Sequence, residues 1–502
     1  MYNYLKKIGW RNSYLLCFLF LLPALYAYNP FPLYFLNDDF IHVPLSQSGV
    51  LGQRNSIRPF NDFSLYIDSL IWGDKAYGYH LTNLLLHAIN SVLVYFLSSK
   101  IFSRFFLIKN VRFWSAAAAI FFWSYAFHSE SVLWIIGRTG SLSSLFFLIC
   151  FNLFLSKERR WFFYPVSFLS FFLGILTYES ISVFLPTLLI LLLFYKNLRT
   201  KGNIFLLIGY FVTFIYYLTL RITWTGGIVS NYEANNFKIS GISVLMNNYI
   251  KLIGRSFVGP QYSSFVFIVS AFILMACMFI GWFVQLNKSG VVHNFFPWII
   301  VALVSYLPYV SLGIDTHGVG SERYLYLPSI FIVLFIIEFF ASWNNKSLGL
   351  FLLFIYFLYN QYYLIQSARA FNIASDIAHK TMNIIKTNRN AENIYITNLP
   401  NEDYGVAIFR LGLEEGVNWQ LKDSLASQKI KVLSLNTKSG FQFTHKLNLN
   451  FKKNDNGFYI HKVYVRDSVS NSSYVFAKSQ LQFHSGKDIL IAYSDTAINV
   501  FR

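Results

Sequence analysis

The sequence predicts an α-helical polytopic membrane protein of about eleven transmembrane helices, followed by a small C-terminal β-rich or α/β extracytoplasmic domain. Three observations predict it. Of 502 residues, 55% are hydrophobic, 20% aromatic and only 13% charged, against about 25% charged in a typical soluble domain. Apolar runs of near-membrane length recur as far as residue 370. Beyond residue 390 the pattern becomes short strand-like runs between Gly, Asn, Asp and Ser.

A formal charge of +18 would suggest nucleic acid in a soluble chain. Here the basic residues sit in short loops between apolar runs, so membrane lipid is the expected partner and nucleic acid is not. Cys17, Cys150 and Cys277 all lie inside apolar runs and indicate neither a disulfide framework nor a zinc site.

In chain order, Lys6, Lys7 and Arg11 precede the apolar run Tyr14–Tyr28, which is either a cleaved signal peptide or an uncleaved anchor. The anchor reading keeps the acids that follow close to the bilayer. Further apolar runs cover roughly 79–99, 113–127, 140–156, 162–177, 180–195, 204–220, 262–286, 296–313, 324–342 and 347–367. Loops holding Lys100, Arg104, Lys109 and Arg112, then Lys157, Arg159 and Arg160, then Lys196, Arg199 and Lys201 alternate with loops poor in Lys and Arg. The positive-inside rule then places the N-terminus in the cytoplasm and the C-terminal domain outside. The expected domains are a transmembrane catalytic part over 1–370, a linker over 371–389 and a soluble part over 390–502. Strands are expected at Ile394–Thr397, Val406–Phe409, Lys429–Leu433, Tyr459–Val465 and Ile489–Tyr493, with a short helix or turn at Leu411–Asn418.

Candidate chemistry gathers in the loops assigned outside. Asn37-Asp38-Asp39-Phe40 follows the first apolar run and opens a polar loop. Adjacent carboxylates repel and need solvent, a metal or a cation. They are either a solvated pair or a catalytic one. His80, Asn83, His87 and Asn90 are spaced three, four and three, on one helical face. Such a stripe faces a cavity or makes interhelical hydrogen bonds, and His80, at the outer end, is the better candidate for touching a ligand.

His128 and Glu130 suit a metal or acid/base pair, and Arg138 suits a phosphate, unless the segment is an interfacial helix. Glu179 stands alone at a hairpin tip. Asp315, His317, Glu322 and Arg323 cluster before Tyr324. Arg58 and Arg323 either reach a lipid phosphate or snorkel to headgroups. Acids and arginines together favour group transfer from a phosphorylated lipid over transport, since no paired inverted segments broken by Gly or Pro are evident.

Four stretches together resemble one family: Asn37-Asp38-Asp39; Arg58-Pro59-Phe60 with the run Gly78 to His87; His128-Ser129-Glu130 with Gly137-Arg138; and Ser321-Glu322-Arg323-Tyr324 through Ser329. They resemble the polytopic GT-C glycosyltransferases, nearest to the membrane O-mannosyltransferases that carry tetratricopeptide repeats and their bacterial relatives. The resemblance covers about residues 10–370.

It implies a GT-C-like fold in a membrane of the bacterial inner-membrane type. It also implies a polyprenyl-phosphate-linked sugar as donor and a protein or glycan as acceptor, with transfer at the outer face. Asp39 or Asp38 would be the base, supported by His128 and Glu130, and Arg58, Arg138 and Arg323 would hold the donor phosphate. His80, Asn83, Glu179 and Glu322 would line the substrate cavity. A divalent cation, Mg or Mn, would sit at Asp39 and Glu130. The tetratricopeptide repeats are missing, and Glu179 follows Tyr178 where the family pattern has a lysine.

Overall fold

The computed structural model describes residues 22–52, 58–158, 160–227, 241–260, 265, 267–270, 272–273, 275–276, 292–343, 345–433, 435–436, 445–454, 457–467, 473–475, 481–483, 486–493 and 498–501. It forms two compact units. Unit 1 comprises Met1–Phe31 and Leu45–Arg369, and unit 2 comprises Pro32–Pro44 and Ala370–Arg502.

Helix α1 (Asp39–Gln47) carries the acid pair at its start. The helices that follow are α2 (Pro59–Trp72), α3 (Ala76–Arg104), α4 (Val111–Trp123), α5 (Ser129–Leu133), α6 (Arg138–Phe154), α7 (Phe163–Thr177), α8 (Phe184–Phe194) and α9 (Lys201–Thr225). Then come α10 (Ile242–Arg255), α11 (Val292–Val304), α12 (Tyr326–Ser342) and α13 (Lys346–Thr387). Helix α2 begins on Pro59, whose fixed φ suits a first helical position. Helix α9 begins after Thr200, whose hydroxyl accepts from the Asn203 N–H at 3.2 Å.

Among the described residues, Ala76–Arg104, Lys201–Thr225, Glu322–Ala341 and Ser347–Thr387 are long and apolar enough to cross a membrane. The pair Ala126–Leu133 and Arg138–Phe154, bent by 107°, qualifies together as a fifth. The protein is therefore an integral membrane protein. The expected spans Tyr14–Tyr28 and 262–286 fall mostly outside the described residues.

Two expectations are corrected. The polar loop expected from Asn37-Asp38-Asp39-Phe40 onward contains α1 and α2. Residues 371–389, read as a linker, continue α13 as far as Thr387. Ala370, Ala374, Ala378 and Met382 are buried at intervals of four, so this polar-looking segment has one apolar helical face.

In unit 2, β1 (Ile394–Thr397) is followed by β2 (Leu399–Pro400), β3 (Glu402–Asp403), β4 (Val406–Ala407) and helix α14 (Leu413–Leu421). Next are β5 (Ile430–Val432), β6 (Leu435–Asn436), β7 (His445–Asn454), β8 (Gly457–Asp467), β9 (Ser473–Val475), β10 (Leu481–Phe483), β11 (Ile489–Tyr493) and β12 (Ile498–Phe501).

One sheet has the order β12-β11-β1-β5. Strands β11 and β5 run parallel to β1, and β12 runs antiparallel to β11. Every residue of β1 and β11 is buried, as expected for the apolar inner strands of a covered sheet. A second sheet pairs β8 antiparallel with β7, β9 and β10. Unit 2 is thus an α/β unit with a partly parallel sheet.

Candidate active site

The site in unit 1 is built around a broken helix. Helices α5 and α6 meet at 107° across Trp134–Gly137, and a break frees backbone carbonyls that need partners in an apolar setting. Asn83 of α3 supplies them, donating from Nδ2 to the carbonyls of Trp134 at 2.8 Å and Ile135 at 3.3 Å. Gly137 makes the fold-back possible, since a Cβ there would meet the Glu130 carbonyl oxygen at 2.0 Å. Asn83, expected to line a cavity, is fully buried and braces this corner instead.

Arg138 opens α6 but offers no fork to a ligand. Its side chain is 0% exposed and its Nη1 lies 2.6 Å from Oδ2 of Asp68, itself 4% exposed. Nη2 donates to the Tyr79 carbonyl at 3.1 Å. Oδ1 of Asp68 accepts from the Thr82 hydroxyl at 2.8 Å. This pair locks α2, α3 and α6 together, and Arg138 is corrected from phosphate ligand to structural ion pair.

Glu322 is corrected in the same way. Fully buried, it accepts from Nη2 of Arg255 at 2.5 Å and from the Ser129 hydroxyl at 2.6 Å. Arg255, also fully buried, further donates to the carbonyls of Asp315 at 3.1 Å and Val258 at 2.9 Å, and lies 4.9 Å from the Phe127 ring centroid. His128 is a core residue. Its Nε2 is 2.6 Å from Oγ of Ser329, and its ring packs on Tyr326, Phe122 and His87. In this arrangement Nε2 is engaged by Ser329 and the buried ring packs among aromatics. His80 is buried near the start of α3. Deeper in the same stripe, His87 contacts the Tyr326 hydroxyl at 2.7 Å and the Trp123 carbonyl at 3.0 Å. Asn90 donates to the Ser141 carbonyl at 2.8 Å. Asn83, His87 and Asn90 therefore make hydrogen bonds between segments of the bundle.

A second group stays partly open. Arg323 pairs with Glu130 through Nη1, and its backbone N–H donates to Oε2 of Glu130 at 2.8 Å. These side chains are 25% and 10% exposed. Arg58, 28% exposed, lies 3.5 Å from Glu179, whose other oxygen accepts from Arg221 at 2.9 Å.

Aromatic rings connect the two arginines. The Arg58 guanidinium lies 4.4 Å from the Tyr178 ring, Tyr178 neighbours Tyr309 at 6.0 Å, and Tyr309 stacks on Tyr324 at 5.3 Å. The Arg323 guanidinium in turn lies 4.8 Å from Tyr324 and 5.1 Å from Trp134. Arg58 and Arg323 are near enough for their charges to oppose one another. Three guanidiniums (Arg58, Arg221, Arg323) against two carboxylates (Glu130, Glu179) leave one net positive charge. A half-open cationic site walled by tyrosines suits a phosphorylated ligand carrying a ring.

The acid pair belongs to unit 2. Asp39 is fully buried, and its Oδ2 accepts from the Leu36 N–H at 2.9 Å while the Asp39 N–H donates to the Leu36 carbonyl. These two bonds close the turn Leu36–Asp39 that leads into α1. Asp38 is half-buried, and its Oδ1 accepts from Nδ2 of Asn37 at 2.9 Å.

A divalent cation does not fit the expected ligands. Glu130 is taken by Arg323, Asp39 by a backbone N–H, and among the described residues no three His, Cys, Asp or Glu side chains come together to hold a metal ion. Sequence reading missed Asp68, Arg221 and Arg255. The proline after Arg58 was the available signal that α2, and so Asp68, begins there.

No family model matches the chain. Protein O-mannosyl-transferase TMTC2 of Homo sapiens is 36% identical over 112 residues, which is 22% of this chain and 12% of that protein. Protein O-mannosyl-transferase TMTC3 of Mus musculus is 34% identical over 114 residues, 23% of this chain and 11% of that protein. The matched segment is thus a small part of these relatives' length. Among solved structures, the crystal structure of ArnT from Cupriavidus metallidurans in the apo state aligns with 84% of this chain and 86% of that one, at 10% identity and a TM-score of 0.42. Its undecaprenyl phosphate-bound form aligns with 83% and 85%, at 12% identity and a TM-score of 0.39. Over its matched segment the chain is related in sequence to the membrane protein O-mannosyl-transferases, the family that its motifs resemble.

Proposed function

We propose that this protein is a membrane glycosyltransferase that moves a sugar from a polyprenyl-phosphate-linked donor to a hydroxyl of a protein or glycan acceptor. The observation that carries the reading is the half-open Arg58 and Arg323 pair with its tyrosine wall and net positive charge. The sequence relationship to protein O-mannosyl-transferases supports it. Arg58 and Arg323 hold the donor phosphate, and the tyrosines flank the sugar. Asp38, whose carboxylate is half-open where that of Asp39 is committed to the backbone, takes the acceptor proton. The acceptor oxygen bonds to the anomeric carbon as the carbon–oxygen bond to phosphate breaks, and the electron pair leaves with the phosphate that the arginines stabilise. A single displacement inverts configuration. The loop charges orient the transfer to the outer face, with the N-terminus cytoplasmic, unit 2 outside and a bacterial-type inner membrane as host.

The test is sugar transfer in purified membranes from a panel of labelled polyprenyl-phosphate sugars, comparing wild type with Asp38→Asn and Arg323→Ala. Label leaving the lipid only with wild-type protein supports the reading. Labelled lipid crossing the bilayer with no donor consumed would replace it with a lipid-linked saccharide transporter.

A further inference from the structure

We infer that Asn37 is a positioning residue for the proposed base, and that the turn Ile408–Gly412 of unit 2 holds it in place. The inference rests on the reading of Asp38 as base and adds to it a role for the C-terminal unit.

Asn37 sits at φ +47°, a left-handed conformation that Asn tolerates better than most residues. Its backbone N–H donates to the Ile408 carbonyl at 2.8 Å. Its Oδ1 accepts from the Leu411 N–H at 2.8 Å, and its Nδ2 donates to Oδ1 of Asp38 at 2.9 Å. One amide therefore uses both ends, fixed by the turn on one side and aiming the carboxylate on the other. Gly412, at φ +84°, lets the turn close, since a Cβ there would meet the Asn37 carbonyl oxygen at 2.5 Å. Stacking of Phe40 on Phe409, with centroids 5.8 Å apart, adds an apolar anchor beside the polar one. Three polar contacts from a residue that does not itself titrate match what orientation of a base requires.

The test compares kcat and donor KM, per folded enzyme after size exclusion, for wild type, Asn37→Gly, Asn37→Asp and Asp38→Asn. Asn37→Gly keeps the left-handed backbone and loses both side-chain bonds. Asn37→Asp keeps the acceptor for Leu411, loses the donor to Asp38 and sets a second negative charge beside it. Both should lower kcat about 10- to 100-fold, the order of loss for a misplaced catalytic group, with donor KM unchanged. Wild-type kcat in Asn37→Asp, or in a folded Asn37→Gly, overturns the inference. A rise in donor KM with kcat unchanged also overturns it. Full transfer by Asp38→Asn refutes the base itself, and that result is independent of either Asn37 variant.

Discussion

Replacing Arg138 with methionine decides between two roles for a residue that sequence places among phosphate ligands. The structure puts its guanidinium at 0% exposure, 2.6 Å from an Asp68 carboxylate that is 4% exposed. Removing one partner of such a pair strands a buried charge, at a cost of about 3–5 kcal/mol. That is a loss of roughly two to four orders of magnitude in the folded-to-unfolded ratio. Replacing both partners by apolar residues of similar volume is often neutral or stabilising. Thr82 keeps a partner when Asp68 goes, since its hydroxyl also reaches the Gly78 carbonyl at 3.3 Å. Arg138→Met should therefore collapse folded yield and thermal midpoint in detergent, and Asp68→Leu/Arg138→Met should recover most of both. Donor KM should be near wild type in the double variant. A single variant that folds with the wild-type midpoint but has a weakened donor KM would show that the guanidinium serves the ligand, and the structural assignment would fall.

Three further outcomes are expected. Arg323→Ala should raise donor KM roughly 10- to 100-fold, since a charge-assisted hydrogen bond contributes about 1.5–3 kcal/mol, and an unchanged donor titration would remove it from the phosphate site. His87→Ala should lower the thermal midpoint, because it cuts the link from α3 to the Trp123 carbonyl and the Tyr326 hydroxyl; loss of activity at an unchanged midpoint would contradict that. Burial, with Glu402 beside it, pushes the Asp403 carboxyl up to about 6. An acid raised on folding binds its proton more tightly in the folded state, so its contribution to stability is greatest at low pH. It declines as pH climbs from about 4 to about 6 and is flat above. Asp403→Asn should remove that slope from midpoints measured across pH, and an identical slope in both proteins would refute the assignment.

Much of the fold was legible because its signals are local. Apolar runs marked the long helix α12, and alternating or β-branched runs marked β1 and β11, within a residue or two of where they lie, while α3 and α9 extend three to five residues beyond their apolar runs at each end. The helix expected near Leu411–Asn418 is α14. The α13 continuation was hidden because three alanines and one methionine spaced among polar residues do not read as an apolar run.

The site was legible only in its ingredients. Residue order alone shows that the chain is membrane-spanning, that it carries acids and arginines near the ends of apolar runs, and that Asn37-Asp38-Asp39 opens a polar stretch. Tertiary structure alone decided which charges are spent. Arg255 finds Glu322 across 67 residues and Arg323 finds Glu130 across 193. Arg138 disappears into Asp68, while Arg58 and Arg323 keep an open side. The physical reason is that a charge buried against a counter-ion and one poised for a ligand are the same letter in the sequence. Burial and partner distance distinguish them, and both are set by contacts between segments far apart in the chain.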